Sequence, residues 1–258
     1  MTTPWYLEHG PSDGPLLLCL HGIGSCGSAF DAQASLAEAT GRHLVAWDAP
    51  GYRHSPDPDQ PFDLDDWADA AADLIDELSS DGTADVLGVS WGGVTATRLT
   101  LRHPEKVRNL ILADSSTGSG TSPERAAAMR GRADSVDGSG LGDFARSRAP
   151  HLLTPEASAE LCERVAVMMI DSVRQPSYRW ACNSMADTDH GPRLSEIGAR
   201  TLVIVGEHDE VTVPARSQEL AAGIPNATMV TVPDAGHLAN QQRPEIFNAA
   251  VAEFLTTT

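Results

Sequence analysis

Asp85-Val86-Leu87-Gly88-Val89-Ser90-Trp91-Gly92-Gly93 is the stretch that decides the fold. Its first five residues are apolar apart from Asp85, as a short buried strand requires. From Trp91 to Arg102 the pattern is helical, and it stops before Pro104, where helices tend to end. A strand that passes into a helix across one residue needs a very tight turn. Gly88 and Gly92 lack side chains, so the two backbones can crowd together around the serine. In that setting the Gly-x-Ser-x-Gly spacing puts Ser90 at the helix N-terminus, where developing negative charge is favoured.

Working outward, the same rhythm recurs. Short apolar runs at 16–20, 43–47, 107–113, 201–205 and 228–232 read as strands. Several are apolar at consecutive positions, the mark of strands buried on both faces of a parallel sheet. Helical patterns fall between them at 28–39, 65–80, 214–222 and 245–255. The expected class is α/β, with a mostly parallel central sheet flanked by helices. Residues 118–192 break the rhythm. They show no strand pattern, and helices are expected at 125–132, 141–149, 155–171 and 176–187. Inserted between two strands, such a segment sits above the carboxyl edge of the sheet, where ligands bind. The expected organisation is therefore a core of 1–117 and 193–258 with an inserted helical cap at 118–192.

Composition narrows the function. The 258 residues carry 36 acidic and 18 basic side chains, a net charge of -18. That field repels phosphate backbones and anionic lipid, so neither nucleic acid nor membrane is an expected partner. An anionic substrate needs local basic groups to offset it. The four cysteines show no metal-ligand spacing, and Cys19 reads as a small buried hydrophobe. The sequence shows no signal-peptide pattern and no apolar run of membrane-spanning length. The simplest expectation is a cytoplasmic protein acting on a small molecule, with the oligomeric state left open.

A serine hydroxyl is a weak nucleophile and needs a base. His237 follows the last expected strand, at the same sheet edge as Ser90. The base needs an acid to hold its tautomer. Asp209, just past the strand at 201–205, gives the chain order Ser, Asp, His. Asp114, at the end of the strand at 107–113, is the serious rival, and Glu207 and Glu210 are less apt. The oxyanion needs backbone N–H donors already in place. Trp91 follows the serine, and Ile23 lies in the loop His21-Gly22-Ile23-Gly24-Ser25 after the first core strand. His21 reads as a residue that shapes this loop. Trp91, Met168, Met169 and Trp180 are candidates to line an apolar acyl pocket. Arg53 is a candidate partner for a substrate carboxylate. No metal or organic cofactor is expected.

Several motifs occur in order: His21-Gly22, Asp48-Ala49-Pro50-Gly51, the 88–93 turn, His103-Pro104-Glu105-Lys106-Val107, Gly206 to Asp209 and Gly236-His237. In these the chain resembles the α/β-hydrolase superfamily over nearly its whole length. The tail from Gly236 through Arg243-Pro244-Glu245 to Asn248 resembles 3-oxoadipate enol-lactonases, which open a lactone of a dicarboxylic acid. Tryptophan after the serine also resembles intracellular polyhydroxyalkanoate depolymerases. One position departs from the pattern: Gly51-Tyr52-Arg53-His54-Ser55 has Arg53 where a glycine is usual. The resemblance implies a serine hydrolase that cleaves a carboxylic ester or lactone through an acyl-enzyme. The alternative is an enzyme of this fold doing non-hydrolytic chemistry, such as rearrangement, isomerisation or C–C cleavage.

Overall fold

Continuous apolar runs build the centre of the molecule. A computed structural model describes residues 3–257. Among them the strands are β1 (Tyr6–His9), β2 (Leu16–Leu20), β3 (His43–Trp47), β4 (Ala84–Val89), β5 (Val107–Ala113), β6 (Arg200–Gly206) and β7 (Ala227–Val232). They form one sheet in the order β1-β3-β2-β4-β5-β6-β7. Only β1 runs antiparallel to its neighbour; every other pairing is parallel. The sequence reading has no counterpart of β1. Its four residues are too few to show a period, and only their pairing with β3 makes them a strand.

The helices are α1 (Ala34–Thr40), α2 (Leu64–Leu78), α3 (Trp91–Arg102), α4 (Pro123–Ser139), α5 (Leu141–Arg148), α6 (Ala159–Ser172), α7 (Ser177–Asp187), α8 (Pro214–Gly223), α9 (Ala239–Gln242) and α10 (Pro244–Thr256). They cover the sheet on both faces, as consecutive apolar positions require. Leu16, Leu18 and Leu20 of β2 pack with Trp67 and Leu74 of α2 and Leu99 of α3. The alternate residues Leu17 and Cys19 pack on the other face with Leu36 of α1 and Phe247 and Val251 of α10. Burial pushes the Cys19 thiol up, so it behaves as the small hydrophobe expected of it. The helix expected at 28–39 is divided into a 3-10 segment, Gly27–Gln33, followed by α1. The Gly27 N–H donates to the buried Asp48 carboxylate at 2.8 Å, which fixes where this segment starts.

Between β5 and β6 the described chain is helical, with α4, α5, α6 and α7 and no strand. The two ends of this insertion are tied together at the sheet. Thr117 accepts from the His190 N–H, and the Gly120 N–H donates to Thr188, each at 2.8 Å. Helix α4 runs from Pro123 to Ser139, well past the expected 125–132. Only Ala133 and Val136 of it are buried, so apolar periodicity marks little of its length. Helix α6 starts at Ala159 rather than 155, because the Ser158 hydroxyl caps it by accepting from the Leu161 N–H. No helix of the described residues is long and apolar enough to cross a membrane.

Candidate active site

The parallel strands end at one edge, and the loops there carry the side chains of interest. Ser90 leaves β4 with φ 55° and ψ -116°, a strained backbone for a residue with a Cβ. Two glycines permit it. A Cβ on Gly88 would stand 2.3 Å from the Gly92 oxygen, and one on Gly92 would stand 2.0 Å from the Leu20 oxygen. The turn is fastened by the Ser90 N–H donating to Ala113 and by the Ser115 hydroxyl donating to the Ser90 carbonyl, both at 2.8 Å.

His237, in the loop after β7, reaches Ser90. Its Nε2 lies 2.9 Å from the Ser90 Oγ, and its Nδ1 lies 2.9 Å from Oδ2 of Asp209. A carboxylate only accepts, so Nδ1 carries the proton and Nε2 is left to accept from the serine hydroxyl. Asp209 sits in the loop after β6 with its side chain fully buried. Its Oδ1 accepts from the N–H groups of Val211 and Thr212, each at 2.8 Å. Burial disfavours the charged carboxyl. The His237 ring and the backbone donors outweigh that and hold it below the usual carboxylate range. Asp209 is thus a fixed anion behind the imidazole. Such a chain can draw the serine proton onto Nε2 as the oxygen attacks.

Asp114, the rival acid, ends β5 at the same edge but makes no hydrogen bond to His237. Its Oδ1 accepts from the Gly206 N–H at 2.8 Å and its Oδ2 from the Ala239 N–H at 3.2 Å. It is wholly buried, and burial, followed by the charge on Asp209, pushes its carboxyl well above the usual range. Asp114 ties the end of β6 to the start of α9 and so braces the loops of Asp209 and His237. Glu207 and Glu210 are exposed.

The loop after β2 abuts the serine: a Cβ on Gly22 would lie 3.5 Å from that of Ser90. Among the described residues, neither the Ile23 N–H nor the Trp91 N–H is taken up by a hydrogen bond. His21 is fully buried, with Nδ1 2.8 Å from the Gly22 carbonyl and Nε2 accepting from the Ala49 N–H at 3.0 Å. Burial lowers its pKa, in keeping with a neutral ring that donates at one nitrogen and accepts at the other.

A cavity opens on Ser90 and His237, walled by Ile23 and, from the helical insertion, by Leu152, Val165, Met168 and Met169. Met168 and Met169 thus stand where the sequence reading places them. Three other expected residues lie elsewhere. The Trp91 indole is buried against Trp67, Tyr52 and His21 beneath the turn. Trp180 is half-buried against the core from α7, outside the cavity walls. Arg53 has φ 39° and donates to Cys26 Sγ at 2.9 Å and Ser28 Oγ at 3.0 Å, in a separate groove. These neighbours, rather than the cavity, engage its guanidinium.

Sequence reasoning missed Arg132 and Arg148, which also wall the cavity. Arginines within a polar insertion read as surface charge. It also missed Tyr52, buried, whose hydroxyl donates to the Ile23 carbonyl at 2.9 Å.

Comparison with known proteins identifies the family. Residues 17–250 match the Alpha/beta hydrolase family. The chain is 29% identical over 249 residues to 3-oxoadipate enol-lactonase 2 of Acinetobacter baylyi, covering 95% of this chain and 90% of that protein. It superimposes on a hydrolase from Pseudomonas aeruginosa PA01 with a TM-score of 0.88 and 29% identity, over 98% of this chain and 94% of the other. A thermophilic esterase from Thermogutta terrifontis gives a TM-score of 0.87 and 26% identity, over 97% and 92%. The sheet order, the glycine-bounded serine turn and a family match over nearly the whole length together place the chain in the alpha/beta hydrolase family.

Proposed function

We propose that this hydrolase cleaves a carboxylic ester or lactone through an acyl-enzyme on Ser90. The Ser90 oxygen attacks the carbonyl carbon while His237 Nε2 takes its proton. Asp209 holds the ring and stabilises the imidazolium. The N–H groups of Ile23 and Trp91 receive the oxyanion. As the carbon–oxygen bond to the leaving group breaks, His237 returns the proton to the departing oxygen. Water then attacks the acyl carbon, giving its proton to His237, and the Ser90 ester breaks to release the acid. Residues 118–192 act as a cap whose inner face forms the acyl pocket.

The observation that carries this reading is the unbroken pair of 2.9 Å hydrogen bonds from Ser90 through His237 to Asp209, on a serine held at φ 55°. Backbone strain of this kind costs about 1–3 kcal/mol and persists where function requires it. Similarity to an enol-lactonase and an esterase adds support. A fluorophosphonate probe tests it. Wild-type protein should be labelled and should turn over aryl esters or small lactones, and Ser90→Ala should do neither. Unlabelled, inactive wild-type protein would sink the proposal.

A further inference from the structure

The insertion places two arginines against the cavity that opens on Ser90: Arg132 from α4 and Arg148 from α5. Four other arginines of the insertion are paired with acidic side chains. Arg130, Arg146, Arg174 and Arg179 all sit beside carboxylates: Asp187, Glu163, Asp57, and the pair Asp134 and Asp137. Arg132 and Arg148 reverse that pattern. Both are half-buried, yet among the described residues neither has a carboxylate partner, and the buried Nε of each donates to nothing. Arg174 shares that free Nε, but its other nitrogens donate to Asp57 and to the Arg53 and Ser55 carbonyls. Among the described residues Arg132 donates only to the Met129 sulfur, at 3.7 Å. The nearby Asp209 carboxylate has its oxygens occupied by His237, Val211 and Thr212.

Two like charges enclosed together are costly without an anion between them. Burial, then repulsion from Arg132, pushes Arg148 down to about 10, so it still stays charged at neutral pH. The walls also include apolar Leu152, Val165 and Val211, and among the described residues no carboxylate lines the cavity to neutralise the two charges. In a chain of net charge -18, an acidic ligand gains no long-range attraction and needs a local cationic site. Guanidinium forks match carboxylate geometry.

We propose that Arg132 and Arg148 form a carboxylate subsite, and that the preferred substrate is a small ester or lactone carrying a free carboxylate away from the bond that is cleaved. The inference rests on the hydrolase reading above, and it adds recognition by two helices of the insertion. An apolar stretch of the substrate lies along Met168 and Met169, and its acid spans the gap between α4 and α5.

The test compares mono-p-nitrophenyl glutarate with p-nitrophenyl pentanoate, matched in length but not in charge. Wild-type kcat/KM should favour the half-ester by about tenfold or more, as charge-assisted hydrogen bonds allow. In Arg132→Gln and in Arg148→Gln that ratio should fall to about one or below. A wild-type preference for the neutral ester overturns the subsite, as does a ratio that the folded variants retain. Binding gives an arm that needs neither turnover nor the Gln variants. Ser90→Ala should be stabilised against heat by glutarate, and not by glutaramide or, at equal ionic strength, by inorganic phosphate. Equal shifts with all three overturn the carboxylate assignment. Failed fluorophosphonate labelling of wild-type protein strikes the hydrolase reading alone, because the glutarate shift is read without it.

Discussion

His21 holds the carbonyl of Gly22 at 2.8 Å from its Nδ1, and that carbonyl shares one peptide plane with the Ile23 N–H. In a trans peptide the two groups point in opposite directions. Fixing the oxygen on the buried histidine therefore aims the N–H away from it, on the loop that abuts Ser90. Tyr52 secures the next peptide through the Ile23 carbonyl. In the proposed mechanism both side chains position an oxyanion donor without touching the substrate. His21→Gln should lower kcat about 10- to 100-fold with little change in KM, short of the loss of an oxyanion donor itself. Tyr52→Phe should cost about threefold to tenfold by the same route. Steady-state kinetics on an aryl ester check both, with circular dichroism to show that the fold is intact. A folded His21→Gln with undiminished kcat refutes the assignment.

The two aspartates at the sheet edge should fail in different ways. Asp209→Asn keeps an oxygen for Val211 and Thr212 but turns an amide N–H toward His237, favouring the wrong tautomer. Activity should fall about 10⁴-fold while thermal stability changes little. Asp114→Asn keeps only one of the two oxygens that accept from Gly206 and Ala239. It should destabilise the protein by about 1–3 kcal/mol and lower activity much less. Denaturant melts beside kcat/KM separate the cases. A greater activity loss from Asp114→Asn would reverse the roles.

Much of this site is local in the chain, and so is legible there. Glycines two residues either side of Ser90 announce a turn that only they permit, and strand-end positions bring Asp209 and His237 to the same edge. What sequence could not supply was orientation across the fold. Asp114 and Asp209 end adjacent strands, and only side-chain direction tells them apart. Arg53 and Arg148 look alike in sequence. One is engaged by Cys26 and Ser28, and the other faces the cavity because α5 packs against α6. Helix α4 was half legible, since a helix with two buried residues carries almost no apolar period. A charge count gives a signal that was there to be read. The segment 118–192 holds 8 of the 18 basic residues, against 10 acidic ones, in a strongly acidic chain.

Gly92 and Gly131 make a paired test of the turn. A methyl group on Gly92 would fall 2.0 Å from the Leu20 oxygen and 2.7 Å from the His21 oxygen, both backbone atoms. Gly92→Ala must push β2 and α3 apart, so labelling of Ser90 should be lost and the melting temperature should drop. Gly131 lies inside α4, where an added Cβ would meet nothing within 4 Å. Gly131→Ala should stabilise the protein by about 0.5–1 kcal/mol through helix propensity and leave labelling intact. Thermal melts with gel-based labelling read both, and a labelled, stable Gly92→Ala contradicts the crowding described for the turn.

His190 links pH to the seating of the insertion. Its N–H pairs with Thr117, and its ring Nε2 donates to the Val94 carbonyl at 3.1 Å from a buried position. Burial, and then the charge of Arg98, lowers its pKa to about 4, against about 6.5 for a free histidine. The folded state therefore binds the proton more weakly than the unfolded chain does. Stability contributed by the neutral ring is complete above about pH 6.5 and falls as pH drops toward 4, where the folded ring also protonates. The gap of roughly 2.5 pH units corresponds to about 3.5 kcal/mol at about 1.4 kcal/mol per unit. His190→Gln keeps an N–H donor and has no titrating proton. Its denaturant stability relative to wild type should therefore shift by about 3 kcal/mol in its own favour between pH 6.5 and 4. Parallel curves for the two proteins across that window would exclude His190 as the titrating group.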